Sequence, residues 1–465
     1  IFARNEYRTD RTMSAPLLKT FGYSFLSFLK HRVNGGLLLM IVAVVAMAVA
    51  NSPWADAYHA FWGQPVSLQV GGFNLFSHHG HALTLMQFIN DALMAVFFFS
   101  VGLEIKREVL VGELSSLRQA LLPIIAAVGG MLLPVGIYFA MAAGSPAAGG
   151  LAIPMATDIA FSLGVLSLFG RRVPLSLKIF LTAFAVVDDI GGILVIAFFY
   201  TSHLSVGYLL VAVGVLAVLL LANRARVMSR TFYCLAGIVV WYCFLQSGVH
   251  ATIAGVLVAF TIPSIPCLNV KKYIARIREN VAEFPHFDKS SILLTPHQID
   301  ALKSIESASD KVISPLQFME DRMHGMVNYL IMPLFAFANA GITLSGSDGA
   351  TVGLVTYAVV LGLVLGKFVG IYLFTWLAVC SRVTSLPQGM NWRNVAGVSL
   401  LGGIGFTVSL FIANLSFGSS DMVLLNQAKL GVLVGTVLAG LLGYVVLNFT
   451  LPKAGESTAD SRNDY

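Results

Sequence analysis

The sequence predicts an all-α polytopic membrane protein of twelve transmembrane helices, and three observations carry that prediction. The 465 residues are 57% hydrophobic and only 11% charged, against roughly 25% charged in an average soluble domain. Apolar runs long enough to cross about 30 Å of hydrocarbon recur along the whole chain. Between those runs, basic residues gather in alternate connections only. With a mean hydropathy of +0.80, the chain lacks the polar surface to cover a soluble core of its size. A soluble enzyme, a nucleic-acid binder and a disordered scaffold are thereby excluded.

Segment 1–33 precedes the first apolar run and reads as a cytoplasmic N-terminal stretch. Spans need around 20 residues, and they are expected at about 34–50, 85–105, 119–141, 151–169, 175–200, 205–222, 230–246, 249–263, 325–343, 352–379, 393–415 and 425–449. The eighth is short and the fourth is polar in its middle. With the N-terminus inside, 27 of the 29 Lys and Arg fall in the N-terminal segment, in or beside the connections after spans 2, 4, 6, 8 and 10, or in the tail 451–465. Cytoplasmic loops are enriched in this way, so both termini are expected in the cytoplasm. Lys367, deep in span ten, and Lys429, near the outer start of span twelve, are the exceptions. The pI near 9.1 therefore concerns orientation and not a nucleic-acid partner. Cys234, Cys243, Cys267 and Cys380 show no ligand-like spacing and read as small thiols. No cleavable signal peptide is expected, because no small-residue cleavage site follows Gly35 to Ala50.

Two connections break the plain helix pattern. Within the first eight spans (34–263), the outer segment 64–77 alternates around Gly71-Gly72, with Val66 to Val70 before and Phe73 to Phe76 after. That predicts a β-hairpin, and an isolated hairpin needs something to pack on, such as a second copy of the chain. Segment 264–323 carries 16 of the 52 charges. Val270, Ile274, Ile277, Val281 and Phe284 follow helical spacing, and Thr295 to Gln298 and Ser314 to Gln317 read as capping boxes. A small helical cytoplasmic insertion is expected there, ahead of the last four spans (324–450).

Charges inside spans carry the functional argument. Asp158, Asp188, Asp189 and Lys367 fall in span interiors, with Asp91 and Glu104 nearer span ends. A central Asp or Lys costs about 2.5–3.5 kcal/mol to insert, so such residues face pathways rather than lipid. Asp188 and Asp189 point about 100° apart on a helix, so one can face a cavity while the other meets a partner. Two adjacent carboxylates titrate as a coupled pair, and their oxygens also suit a small hard cation. H⁺ and a metal ion are expected to compete for the same oxygens.

Span four (Pro154-Met-Ala-Thr157-Asp158) and span eleven (Gly402-Gly403-Ile-Gly405-Phe-Thr407) are polar or glycine-rich at mid-membrane. Both read as broken helices, tolerated only around a protein-lined cavity. They run in opposite directions, so spans 3–5 and 10–12 form an inverted-topology repeat. Asp158 and Lys367 can then neutralise the facing ends of the half-helices.

These residues resemble the NhaA-type sodium/proton antiporter family, itself an established example of such repeats. The resemblance covers about 34–263 and 325–450. It rests on Val101 to Glu108, Ala156-Thr-Asp-Ile-Ala-Phe161, Val187-Asp-Asp-Ile190, Ser247 to Thr252, Leu334 to Gly341 and Gly403 to Thr407. It implies an inner-membrane bacterial antiporter that exports Na⁺ or Li⁺ for protons by alternating access, without a cofactor. Electrogenic exchange, activation at alkaline pH and dimerisation through the outer hairpin are implied as well. Asp189 would be the main ion and proton carboxylate, and Asp188 its partner and fellow metal ligand in salt-bridge reach of Lys367. Thr157 and Asp158 would belong to the helix crossing, and Asp91 to the inner access route. Glu104, Glu108, Glu320 and His250 fall where the family places its pH response. One departure lies at the start of span nine. Better-known members have an acidic residue followed directly by His, whereas Glu320-Asp321-Arg322-Met323-His324 here lacks that first His and follows the insertion. An intramembrane aspartyl protease fits poorly, since it needs two facing carboxylates. Another ion-coupled secondary transporter is the alternative, and an enzyme is not expected.

Overall fold

The computed structural model describes residues 35–67, 69–70, 73–74, 76–78, 81–201, 204–265, 270–282, 295–343, 352–418 and 421–452. The expected N-terminal segment and nearly all of the tail lie outside the described residues. Helix α1 (Gly35–Ala50) turns by 112° into α2 (Ala55–Trp62). Then come α3 (Leu85–Val111), α4 (Leu117–Ala142), α5 (Ile159–Ser167), α6 (Leu175–Phe199), α7 (Val206–Arg224), α8 (Arg230–Ser247) and α9 (Ala251–Thr261). The insertion contributes α10 (Val270–Ala282) and α11 (Pro296–Val312). The chain continues through α12 (Pro315–Met326), α13 (Met332–Asn339), α14 (Leu354–Cys380), α15 (Trp392–Leu401), α16 (Phe406–Phe417) and α17 (Met422–Thr450).

Among the described residues, six helices are long and apolar enough to cross a membrane, or nine if each bent pair is one span. The chain is thus a multi-pass membrane protein with helical spans. Helices prevail because a lipid-exposed backbone must satisfy its own polar groups. Their ends are closed by short polar devices. Asp421 accepts from Val423 N at 2.9 Å and Leu424 N at 3.1 Å, which caps α17. At the other end of α17 the Arg172 guanidinium donates to the Asn448, Leu451 and Pro452 carbonyls at 2.9–3.2 Å, a cation where the helix dipole is negative.

Among the described residues there are three π-turns: Ile89–Leu93 in α3, Val327–Ile331 between α12 and α13, and Gly362–Gly366 in α14. The helices form two packed sets. In one, α3 lies against α9 and α12, α7 against α8, and α13 against α1. In the other, α4 packs on α6 and α14, while α14, α15 and α16 pack on α17. The seam between the sets runs along α1 with α5, α3 with α6 and α13 with α16.

Gly129 of α4 and Gly370 of α14 sit back to back, and a Cβ on either would fall onto the other helix's backbone. Such small residues let membrane helices approach closely. Gly370→Val should therefore lower the thermal unfolding midpoint in detergent, with a cost of about 1–3 kcal/mol for overpacking. An unchanged midpoint would contradict this reading of the contact.

The described residues of 65–84 carry short antiparallel pairs, the first of them across the expected hairpin position. Gln69 pairs with Asn74 and Val70 with Phe73, Ser77 with Ala82 and His78 with His81, and an isolated bridge joins Pro65 to Thr84. The Gly71-Gly72 turn expected to close the hairpin lies outside the described residues, as does Phe284. In the insertion, α10 and α11 pack on one another. Thr295 and Gln298 form the reciprocal capping box, at 2.9 and 3.4 Å. At Ser314 only half of that arrangement forms. The Gln317 amide donates to the serine oxygen, but the Gln317 side chain accepts from the Ser314 hydroxyl instead of the backbone.

Candidate functional site: a crossed pair of broken helices

Helix breaks expose N–H and C=O groups, and a membrane interior offers no water to satisfy them. Here two breaks satisfy each other. The 3-10 turns of 146–155 bend by 43° into α5, and α15 bends by 44° into α16. Where they cross, Asp158 N donates to Ile404 O at 2.6 Å, the Thr157 hydroxyl to Gly402 O at 2.8 Å, and the Ser162 hydroxyl to Leu401 O at 2.9 Å.

Asp158 serves both half-helices that begin at the crossing. One oxygen accepts from Phe161 N in the first turn of α5. The other accepts from Thr407 N at 3.2 Å and the Thr407 hydroxyl at 2.6 Å, at the start of α16. A carboxylate between two helix N-termini is where the dipoles favour negative charge. Thr157 links the crossing to a cation, because its hydroxyl oxygen accepts from Lys367 Nζ at 2.9 Å.

Asp188 and Asp189 sit side by side on α6, and the helix divides them as their 100° offset requires. Asp188 Oδ2 lies 2.7 Å from Lys367 Nζ, with both side chains almost fully buried. Lys367 directly follows the π-turn of α14, and its Nζ is 5.5 Å from the Phe184 ring centre. Asp189 instead lines a cavity of about 240 Å³ together with Thr157, Asp158, Ser100, Glu104 and His324. Asp188 Oδ1 and Asp189 Oδ2 are buried without a hydrogen-bond partner among the described residues. Buried carboxylate oxygens without a partner are costly, and they are what a proton or small cation relieves.

A second cavity of about 370 Å³ shares Ser100, Glu104 and His324 with the first and adds Arg107, Gln317 and Glu320. Here Arg107 joins two acids, Glu108 at 2.6 Å and Glu320 at 2.9 Å. Glu108 also accepts from Glu113 N at 3.1 Å. Burial pushes the Glu320 carboxyl above its ordinary range, and the Arg107 charge beside it pulls it part of the way back. A carboxyl that titrates higher folded than unfolded favours the folded protein at low pH and loses that contribution as pH rises through the shifted value. Glu320→Gln should therefore remove the share of any fall in thermal midpoint that this carboxyl contributes as pH rises above the ordinary carboxylate range. An unaltered slope in a pH series of melts would refute this.

The expected site residues do not all meet. Asp158, Thr157, Asp188, Asp189 and Lys367 form one centre, and Glu104, Glu108 and Glu320 gather around Arg107 beside it. His250 stands apart. It precedes α9 at the end remote from Lys106, which donates to the Phe260 and Ile262 carbonyls. Its Nδ1 lies 3.0 Å from Thr252 Oγ1, and its ring meets Phe411 edge-on at 5.3 Å. Asp91 also stands apart. It lies in the π-turn near the start of α3, about 20 Å along the helix from Glu104, and it lines neither of these two cavities. Thr407, Ser162 and Arg107 also belong to these clusters, though nothing in the sequence sets them apart individually. Their one signal is a polar or charged side chain within a quoted motif or a span interior.

Comparison with known proteins agrees with this geometry. The family described as Na⁺/H⁺ antiporter 1 matches residues 26–447. A protein of Phocaeicola vulgatus named Na(+)/H(+) antiporter NhaA is 66% identical over 432 residues, covering 93% of this chain and 97% of its own. Proteins of the same name from Bacteroides fragilis and Helicobacter pylori are 60% and 45% identical, each covering 92% of this chain and 98% and 95% of their own. With its crossing, its paired carboxylates and its buried lysine now placed, the chain belongs to the Na⁺/H⁺ antiporter 1 family.

Proposed function

We propose that this chain is a secondary transporter that exports Na⁺, or Li⁺, in exchange for protons by alternating access. The observation that carries the reading is Asp189, which faces a cavity with a buried oxygen left without a partner, next to an Asp188 held by Lys367. In the deprotonated site the cation takes the Asp189 oxygens, and a proton arriving from the other side displaces it. The cation is substrate, and no cofactor has a part in the cycle. Ion-binding roles fall to Asp189, Asp188, Asp158 and Thr157, and charge compensation to Lys367.

Exchange of more protons than sodium ions follows if Asp188 is released from Lys367 in turn, which makes the cycle electrogenic. The cluster of Glu104, Glu108, Glu320 and Arg107 borders the entry to the site and is the proposed origin of alkaline activation. The distribution of basic residues supports an inner-membrane protein with twelve spans and cytoplasmic termini. On that orientation the cavity opens to the cytoplasm, since Gly35 and Asn328 of its wall lie at cytoplasmic helix ends. Opposite running directions of the two broken helices support an inverted repeat. The outer hairpin at 64–77 is the proposed contact in a homodimer embedded in lipid.

The test uses proteoliposomes with a preset pH gradient, acid inside. Added Na⁺ should collapse the gradient, and Li⁺ should do so too. Proton movement in the same direction as Na⁺ would instead identify an ion-coupled symporter on a similar fold.

A further inference from the structure

On the side of Asp189 away from Glu104, side-chain hydrogen bonds tie three helices together. Asn414 Nδ2 donates to Asn339 Oδ1 at 2.9 Å, and Asn339 Nδ2 donates to Asn90 Oδ1 at 2.8 Å. Each of the two donating amides also bonds the carbonyl one turn back on its own helix, Leu410 O for Asn414 and Phe335 O for Asn339. Both hydrogens of each of these amides are therefore used, which fixes the direction of the ladder. Asn339 has no exposed surface at all.

The ladder crosses the seam between the helix sets. Asn414 is on α16, which carries the Thr407 contact to Asp158, whereas Asn339 and Asn90 are on α13 and α3. Asn414 lies about 10 Å along α16 from Thr407. Phe411 fills the interval, packed on Phe98 at 6.0 Å and Phe335 at 6.4 Å between ring centres. The Asn90 end of α3 sits in a π-turn, a local irregularity that frequently marks function. Nothing in apolar packing requires three asparagines at this depth, and a polar group there is costly unless paired.

We propose that the Asn414–Asn339 hydrogen bond is the latch of the gate opposite the open cavity, with Asn90 the positioning residue that holds the Asn339 amide toward it. A path to Asp189 from that side requires α16 to part from α3 and α13, and this bond must break as they separate. The Asn339–Asn90 bond stays within one helix set and survives the movement. The latch thus favours the state described here, and its strength sets how often the opposite state is visited. This inference rests on the alternating-access reading.

The test reads accessibility and not transport. In a background with the four cysteines replaced by serine, Ala338→Cys places a thiol beside the latch. A membrane-impermeant thiol reagent is added on the outer side of proteoliposomes of known orientation. Asn414→Leu, close in volume to Asn, should raise the labelling rate by about tenfold, the factor for loss of ~1.4 kcal/mol, and Asn90→Ala should raise it less. Labelling within twofold of the parent in both variants would overturn the proposal. An independent arm avoids any folding loss. Oxidised Asn339→Cys/Asn414→Cys protein should stop exchanging ions and recover under reductant, and unimpaired exchange by the cross-linked protein would equally overturn it. Labelling that responds while the parent exchanges no Na⁺ for H⁺ would remove the antiport reading and leave the gate.

Discussion

Asp189→Asn should abolish Na⁺-dependent proton movement and leave the protein folded. The substitution keeps the shape and removes the charge and the titratable oxygen. Asp189 makes no ion pair among the described residues, and one of its oxygens has no hydrogen-bond partner, so little native bonding is lost. What is lost is the group a cation meets in the cavity. At 4 Å and an effective dielectric of about 20, one unit charge is worth on the order of 4 kcal/mol, about a thousandfold in affinity. Exchange measured in proteoliposomes should fall to the protein-free rate while the thermal midpoint stays near that of the parent. Retained exchange would remove Asp189 from the centre of the site.

Lys367→Ala is expected to act first on stability. Its ammonium is fully buried and holds both Asp188 Oδ2 and the Thr157 hydroxyl. Removing it strands a carboxylate whose other oxygen already lacks a partner. Breaking a buried pair by removing one side costs about 3–5 kcal/mol, most of it from the charge left behind. The double variant Lys367→Ala/Asp188→Asn removes that stranded charge and should recover much of the loss, a coupling that a double-mutant cycle measures. Thermal unfolding in detergent gives the answer. Equal midpoints for the single and double variants would show that the pair does not act as a unit.

The sequence announced the centre of this molecule because membrane interiors make charge expensive. Asp158, Asp188, Asp189 and Lys367 stood out for that reason alone, and the structure brings them within one crossing. The two helix breaks were legible from glycine and polar residues in otherwise apolar runs. What stayed hidden followed from weaker signals. A π-turn adds one residue to a helix and leaves no compositional mark, so Ile89–Leu93, Val327–Ile331 and Gly362–Gly366 had no signature. The role of Asp91 rests on resemblance alone, and nothing in its local sequence says what it faces. Asn90, Asn339 and Asn414 are neutral, cost less to insert than a charge, and come from three separate spans. Only their meeting in space gives them meaning. His250 shows the same limit in reverse, since its grouping with the Glu104 cluster came from resemblance, while the fold sets it against Phe411 on the other side.

The central claim is that protons and Na⁺ compete for the same carboxylate oxygens, and equilibrium binding tests it most directly. Na⁺ affinity of the purified protein should be measured across a pH series, with Asp189→Asn as the control. Linkage between two ligands of one site is reciprocal, so the apparent affinity should weaken as pH falls. The slope should approach tenfold per pH unit for each proton displaced, and Asp189→Asn should show no binding. A Na⁺ affinity that stays constant across the pH range in which the protein exchanges ions would contradict the account.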